Sequence, residues 1–152
     1  MKEHFKNTFK NLANNLNLYV ASSDLKYIHD IEEILKAFFS AKYVRLWKYD
    51  KNNETLILLN ESVEKVISLE SSLTKQAINN QASIFINHIS SNKHYNPDID
   101  NPLGLKLKSL IILPSIKGNK VLGVLKIARG INERKVFTKQ DKAILQKLVA
   151  IF

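Results

Sequence analysis

The sequence predicts an α+β domain: a central antiparallel sheet of five to six strands, with long helices from both ends of the chain on one face and short elements over the other. Three observations carry this. Apolar residues recur at helical spacing at both ends of the chain. In between lie two pairs of strand-like apolar runs, each pair joined by a short polar turn: KYVRLWKYD, where the period changes to two, with ETLILLN, and the near-continuous KSLIILPSI with VLGVLKIAR. A helical stretch, a short strand and the long loop SSNKHYNPDIDNPLGL separate the pairs. The 152 residues, 45% hydrophobic and 24% charged, suffice for one substantial core.

In order along the chain, Phe5, Phe9, Leu12, Leu16 and Tyr19 form a heptad seam, the pattern of a helix that packs along another helix. Asparagines beside the seam lower its intrinsic helicity, so a partner must supply the stability. This defines an N-terminal dimerisation or signalling helix at 1–22, followed by one domain at 23–152. Ser22, Ser23 and Asp24 cap a second helix. Its stripe is Leu25, Ile28, Ile31, Leu35 and Phe38, with Lys26, Asp30, Glu33 and Lys36 outside. Two strands around DKNN form a hairpin, and VEKVISL adds an edge strand. SSLTKQAINNQ is a helix with Ser71 as cap and Leu73, Ala77 and Ile78 on its apolar face. SIFINH is a short strand. After the loop, the second hairpin turns at KGNK, and its near-continuous apolar strands are expected to be buried on both faces. The last helix has Thr138 as cap and Ile144, Leu145, Leu148, Ile151 and Phe152 on its apolar side. Ending on apolar residues with no C-cap, it is expected to continue in a longer natural chain.

Composition removes several function classes. With no cysteine there are no disulfides, no thiolate catalysis and no Cys-ligated zinc. MKEHFKNTFKN is polar where a secretory segment is apolar, and no run is long enough to cross a bilayer, so a cytoplasmic protein is expected. The formal charge of +9 raises nucleic acid as a partner. The lysines, however, are spread along the chain among glutamates, without interleaved aromatics, and read as a solvated surface. No nucleophile elbow, Gly-rich phosphate loop or H-E-x-x-H is present, so no enzyme is expected.

The loop poses the main question. His88, His94, Asp98 and Asp100 are metal-ligand types within a short span. The stretch from Asn96 places oxygens at calcium-loop positions one, three and five. It fails at the sixth place, Asn101, and at the twelfth, Leu107, and a calcium loop is rejected. No metal is expected. Asn96 and Asp98 suit the capping of a turn, Pro97 sets its φ, and Pro102 and Gly104 reverse the chain. His94, Tyr95 and Asp98 are the loop's candidates for facing a ligand. His88 ends a strand. Arg45 and Trp47 share one strand face, which is either a pocket floor or the helix-covered side. An arginine in a dry pocket needs an anion, which favours a carboxylate or phosphate ligand. Ser71 and Ser72 either offer helix N-terminal N–H groups to that anion or only cap the helix.

The series HYNPDID, KSLIILPSI, GVLKI and FTKQDKAIL, in this order, resembles the GAF domain over about residues 24–152. The resemblance implies a sensory and regulatory fold of bacterial signalling proteins and phosphodiesterases. It implies a small ligand held between sheet and covering loop, dimerisation through the first and last helices, and an attached output domain. Ser109, in the Ser- and Pro-containing strand, joins the candidate ligand-binding set of Arg45, Trp47, Ser71, Ser72, His88, His94, Tyr95 and Asp98. Cyclic-nucleotide-binding members carry Asn-Lys, then Phe, three residues and Asp-Glu. Here the matching places hold Ala128 and Arg129, then Phe137, Asp141 and Lys142, so cyclic nucleotide is unsupported. Arg129 and Asp141 then form a structural tie between strand and helix. Members that attach bilin covalently, and those that reduce free methionine sulfoxide, need cysteines this chain lacks. Haem, with His88 as axial ligand, is likewise unsupported, and the cofactor is unknown. Two rival readings are a ligand-free GAF domain that serves as a dimerisation module and a basic nucleic-acid-binding domain.

Overall fold

The computed structural model describes residues 25–58, 65–133 and 136–149. The elements are α1 (Leu25–Phe38), β1 (Tyr43–Asp50), β2 (Thr55–Leu58), β3 (Lys65–Ser68), α2 (Leu73–Asn80) and β4 (Ile84–Ile86). A 3₁₀ turn (Ile89–Ser91), α3 (Pro97–Asp100), β5 (Leu107–Lys117), β6 (Lys120–Gly130) and α4 (Lys139–Val149) follow. The expected α+β class is observed, with six strands in the order β3-β2-β1-β6-β5-β4 and every neighbouring pair antiparallel. The seam residues Phe5 to Tyr19, the cap cluster at 22–24, and Ile151 and Phe152 lie outside the described residues.

The strands with the longest apolar runs take the centre. β5 and β6 are eleven residues each and almost continuously buried, as expected for strands covered on both faces. Gly118 and Asn119 join them, both at positive φ, as a type I′ hairpin turn requires. The edges, β3 and β4, are short, which limits pairing with other chains.

Each face of the sheet carries its own core. On one, Ile31, Leu35 and Phe39 from α1 and its end, with Phe137 and Leu145 from the α4 segment, pack on Val44, Leu46, Ile111, Leu113, Leu125 and Ile127. Each buried aliphatic side chain of this kind contributes about 1.5–3 kcal/mol. On the other, Leu73, Ala77 and Ile78 of α2, together with Ile89 and Ile99, cover Trp47, Leu110, Ile112, Val124 and Ala128. Asp30, Glu33 and Lys36 of α1 are exposed as expected. Glu32 is buried instead, its Oε2 accepting the Leu46 N–H at 3.0 Å on the side of β1 where the pairing with β2 has not yet begun.

Candidate functional site

The loop forms a folded lid over the second face. Asn96 accepts the Asp98 N–H at 3.1 Å, and Pro97 follows at the start of α3, so the expected capped turn becomes one turn of helix. The Asn96 amide also donates to the Ser71 carbonyl at 3.0 Å, and Lys65 Nζ donates to the Pro102 carbonyl at 3.2 Å. Asn101 closes the loop through paired bonds with the Leu105 backbone, at 2.6 and 3.2 Å.

The N-terminus of α2 is where the sequence offers an anion site, and the protein supplies the anion itself. Asp100 is buried, and its Oδ1 accepts the Thr74 N–H at 2.8 Å and the Thr74 hydroxyl at 2.6 Å. Its Oδ2 accepts from Leu73 N at 3.1 Å and Asn96 N at 2.9 Å. A carboxylate on the first N–H groups of a helix satisfies orphan donors and meets the positive end of the helix dipole. The cap of α2 is Ser72, not Ser71 as the sequence predicts: Ser72 Oγ accepts the Lys75 N–H at 3.0 Å and donates to the Glu70 carbonyl at 2.9 Å. Ser71 is exposed.

Beneath the lid lies Lys126, in the middle of β6 and completely buried. Its Nζ donates to the Ile99 carbonyl of the lid at 2.6 Å and sits 5.3 Å from the centre of the Trp47 ring. Burial lowers the amine from its ordinary range to about 7, with the Asp100 charge opposing the fall. Trp47 is itself fully buried, and its Nε1 donates to the Tyr43 hydroxyl at 3.1 Å. Lys126, Trp47, Ile99 and Asp100 thus form one cluster between the sheet, the lid and α2.

The remaining candidates disperse. Trp47 belongs to the lid-covered face, which answers the question the sequence leaves open. Arg45 is the register partner of Lys126, and its Nη1 lies 3.7 Å from Glu32 Oε1, so an anion from α1 stands beside it. Tyr95 packs half-buried on the second core, and burial pushes its hydroxyl up, as does the nearby Asp100 charge, against a bond from Asn101. His88, His94 and Asp98 are exposed. Ser109 pairs with Arg129 on the helix-covered face, away from the lid, and its buried hydroxyl has no hydrogen-bond partner among the described residues. Among the described residues no three His, Asp or Glu side chains converge to hold a metal. The expected Arg129–Asp141 tie is present at 3.9 Å. Sequence reasoning passed over Lys126, Thr74 and Asp100's bond to α2. The available signal was a lysine in the interior of the apolar run VLGVLKIAR.

The six-stranded antiparallel sheet carries α1 and α4 on one face and the lid strapped over the other. The GAF domain model matches residues 28–152, and the chain belongs to that family. Solved structures agree at the level of the fold. The GAF domain of an Acinetobacter phosphoenolpyruvate-protein phosphotransferase shares 17% identity, covering 95% of this chain and 87% of its own, with a TM-score of 0.70. The corresponding domain from Coxiella burnetii shares 16%, covering 95% and 89%, with a TM-score of 0.73. The free methionine-R-sulfoxide reductase of Neisseria meningitidis, in complex with its substrate, shares 16%, covering 94% and 84%, with a TM-score of 0.70. No curated protein matches the sequence. Among the described residues no helix is long and apolar enough to cross a membrane.

Proposed function

We propose that this chain is a cytoplasmic sensory module of a bacterial signal-transduction protein, which binds a small anionic ligand between the sheet and the lid. Its role is recognition and not catalysis, and the state of the lid passes to an output domain through terminal helices paired in a homodimer. The observation that carries this reading is Lys126, a charged group enclosed between Trp47 and a lid fastened by polar contacts. Burying an amine at the centre of an apolar sheet is costly. Such groups cluster at sites that work on a ligand. The family relationship supports the same reading.

Native mass spectrometry of freshly purified protein, with a thermal-shift panel of small metabolites, tests the proposal. A carried mass or a saturable stabilisation is expected. Neither appearing, over a panel rich in organic anions, would remove the sensory reading. The alternative, a ligand-free dimerisation module, has its own observation in its favour. Trp47 and Ile99 are fully or almost fully buried, so the protein's own side chains occupy this face. Sedimentation then reports a dimer, with no response to any compound.

A further inference from the structure

We propose that Lys126 is the docking point for a small monocarboxylic acid, whose carboxylate takes over from the Ile99 carbonyl as the acceptor of the ammonium. The inference rests on the reading of this face as a ligand site and specifies the ligand's chemistry. An ammonium has three donors, and Lys126 uses one, toward a main-chain carbonyl of the lid. The nearest carboxylate, Asp100, is not its hydrogen-bond partner. Both Asp100 oxygens are doubly engaged by Leu73, Thr74 and Asn96, which fix it to α2. Arg45, beside Lys126 in register, faces Glu32. In its protonated form Lys126 is therefore left, among the described residues, with a neutral acceptor and two donors to spare, in a setting where a charge-assisted bond is about twice as strong.

The surroundings select the ligand class. One ammonium matches one negative charge, and the fixed Asp100 carboxylate repels a phosphate dianion about twice as strongly as a monocarboxylate. Trp47, Leu110, Ile112 and Val124 line the same face, so the body of the acid is apolar, aryl or branched alkyl. The Ile99 carbonyl belongs to a four-residue helix in the lid, and exchanging it for ligand releases that turn from β6. Recognition and lid movement are then one event.

The test uses matched pairs on the whole chain: benzoate with benzamide, isobutyrate with isobutyramide, and inorganic phosphate. Binding is followed by thermal shift and by the side-chain signals of protein labelled at lysine Cε. Each carboxylate is expected to bind at least about tenfold more tightly than its amide and to move the Lys126 signal. Lys126→Met is expected to fold, to melt higher than the wild type, and to lose the preference for acid over amide. Equal affinity of acid and amide, an unmoved Lys126 signal, tighter binding of phosphate, or a preference that survives in Lys126→Met would each overturn the inference. Equal affinity leaves the ligand site standing without its carboxylate. No binding by any member of either pair overturns the inference, while the ligand-site reading itself stands or falls on the metabolite panel.

Discussion

Asp100 and Thr74 meet at two atoms: one carboxylate oxygen of Asp100 accepts both the backbone N–H and the hydroxyl of Thr74, at 2.8 and 2.6 Å. The other oxygen takes Leu73 and Asn96. Four donors therefore converge on one buried side chain, and the lid is joined to α2 through it. In Asp100→Asn one of these oxygens becomes an amino group facing donors. A loss of about 2–4 kcal/mol is expected in urea denaturation, because buried donors are left unsatisfied. Asp98→Asn, two residues earlier and exposed, should stay within about 0.5 kcal/mol. Equal effects at the two positions would show that the carboxylate is not the fastening.

Lys126 gives the protein a definite pH dependence. Its amine falls to about 7 in the folded state through burial, against about 10.4 in the unfolded chain. Below the folded value both states are protonated, and the cost of the buried charge is fully present. Between the two values the unfolded chain binds a proton that the folded protein has released, so stability rises with pH. The slope approaches about 1.4 kcal/mol per unit. Tyr49 and Tyr95, both raised above their ordinary value of 10.0, leave the window from pH 7 to 9.5 clear. Urea denaturation at pH 7, 8 and 9 should show this gain in the wild type relative to Lys126→Met. Parallel lines for the two proteins would contradict it.

How much of this was legible follows from where the information resides. Strands with period two and the caps at Asn96 and Thr138 are local, and the sequence displays them. Which loop aspartate turns inward is not local. Asp98 and Asp100 look alike in HYNPDID until α3 places Asp100 against α2. Ser109 went to the other face for a similar reason. A register shift between Leu107 and Ser109 resets the alternation, so Leu107 points to the lid side and Ser109 to the helix side. Glu32 is hidden among charged neighbours on α1, and the groups that draw it inward, the Leu46 N–H beyond the β2 pairing and Arg45, lie far from it in the sequence. Lys126 was visible as an anomaly, since a charge inside a strand buried on both faces must have a partner.

Gly123 holds the same region through its missing side chain. It pairs with Lys48 in β1, and a Cβ there would run into the Trp47 carbonyl oxygen, a backbone atom that cannot swing away. The close approach sets the two strands, and with them the position of the Trp47 ring beneath Lys126. Gly123→Ala should cost about 2–4 kcal/mol and shift the Trp47 fluorescence. As the chain has a single tryptophan, the readout is direct. An unchanged spectrum with unchanged stability would mean that β6 yields at this point.

Arg129 joins the ends of the two terminal helices, and its anchor is not the ion pair. Its Nε and Nη2 both donate to the Phe39 carbonyl at the end of α1, at 3.2 and 2.7 Å. Its guanidinium stacks 4.2 Å above the centre of the Phe137 ring. Asp141 stands farther off, at 3.9 Å, and is partly solvated. It is also occupied with Thr138, whose N–H it accepts at 2.9 Å while Thr138 Oγ1 accepts the Asp141 N–H at 3.2 Å, a reciprocal cap on α4. Arg129→Lys keeps the charge but loses the fork and the stacked plane, and should cost about 1–3 kcal/mol. Asp141→Asn should cost about 1 kcal/mol, mostly through the cap. A double-mutant cycle should then give a coupling of only about 0.5 kcal/mol, because the pair is long and its carboxylate is partly solvated and already engaged by Thr138. A coupling above about 2 kcal/mol would make the ion pair the anchor and the Phe39 carbonyl secondary.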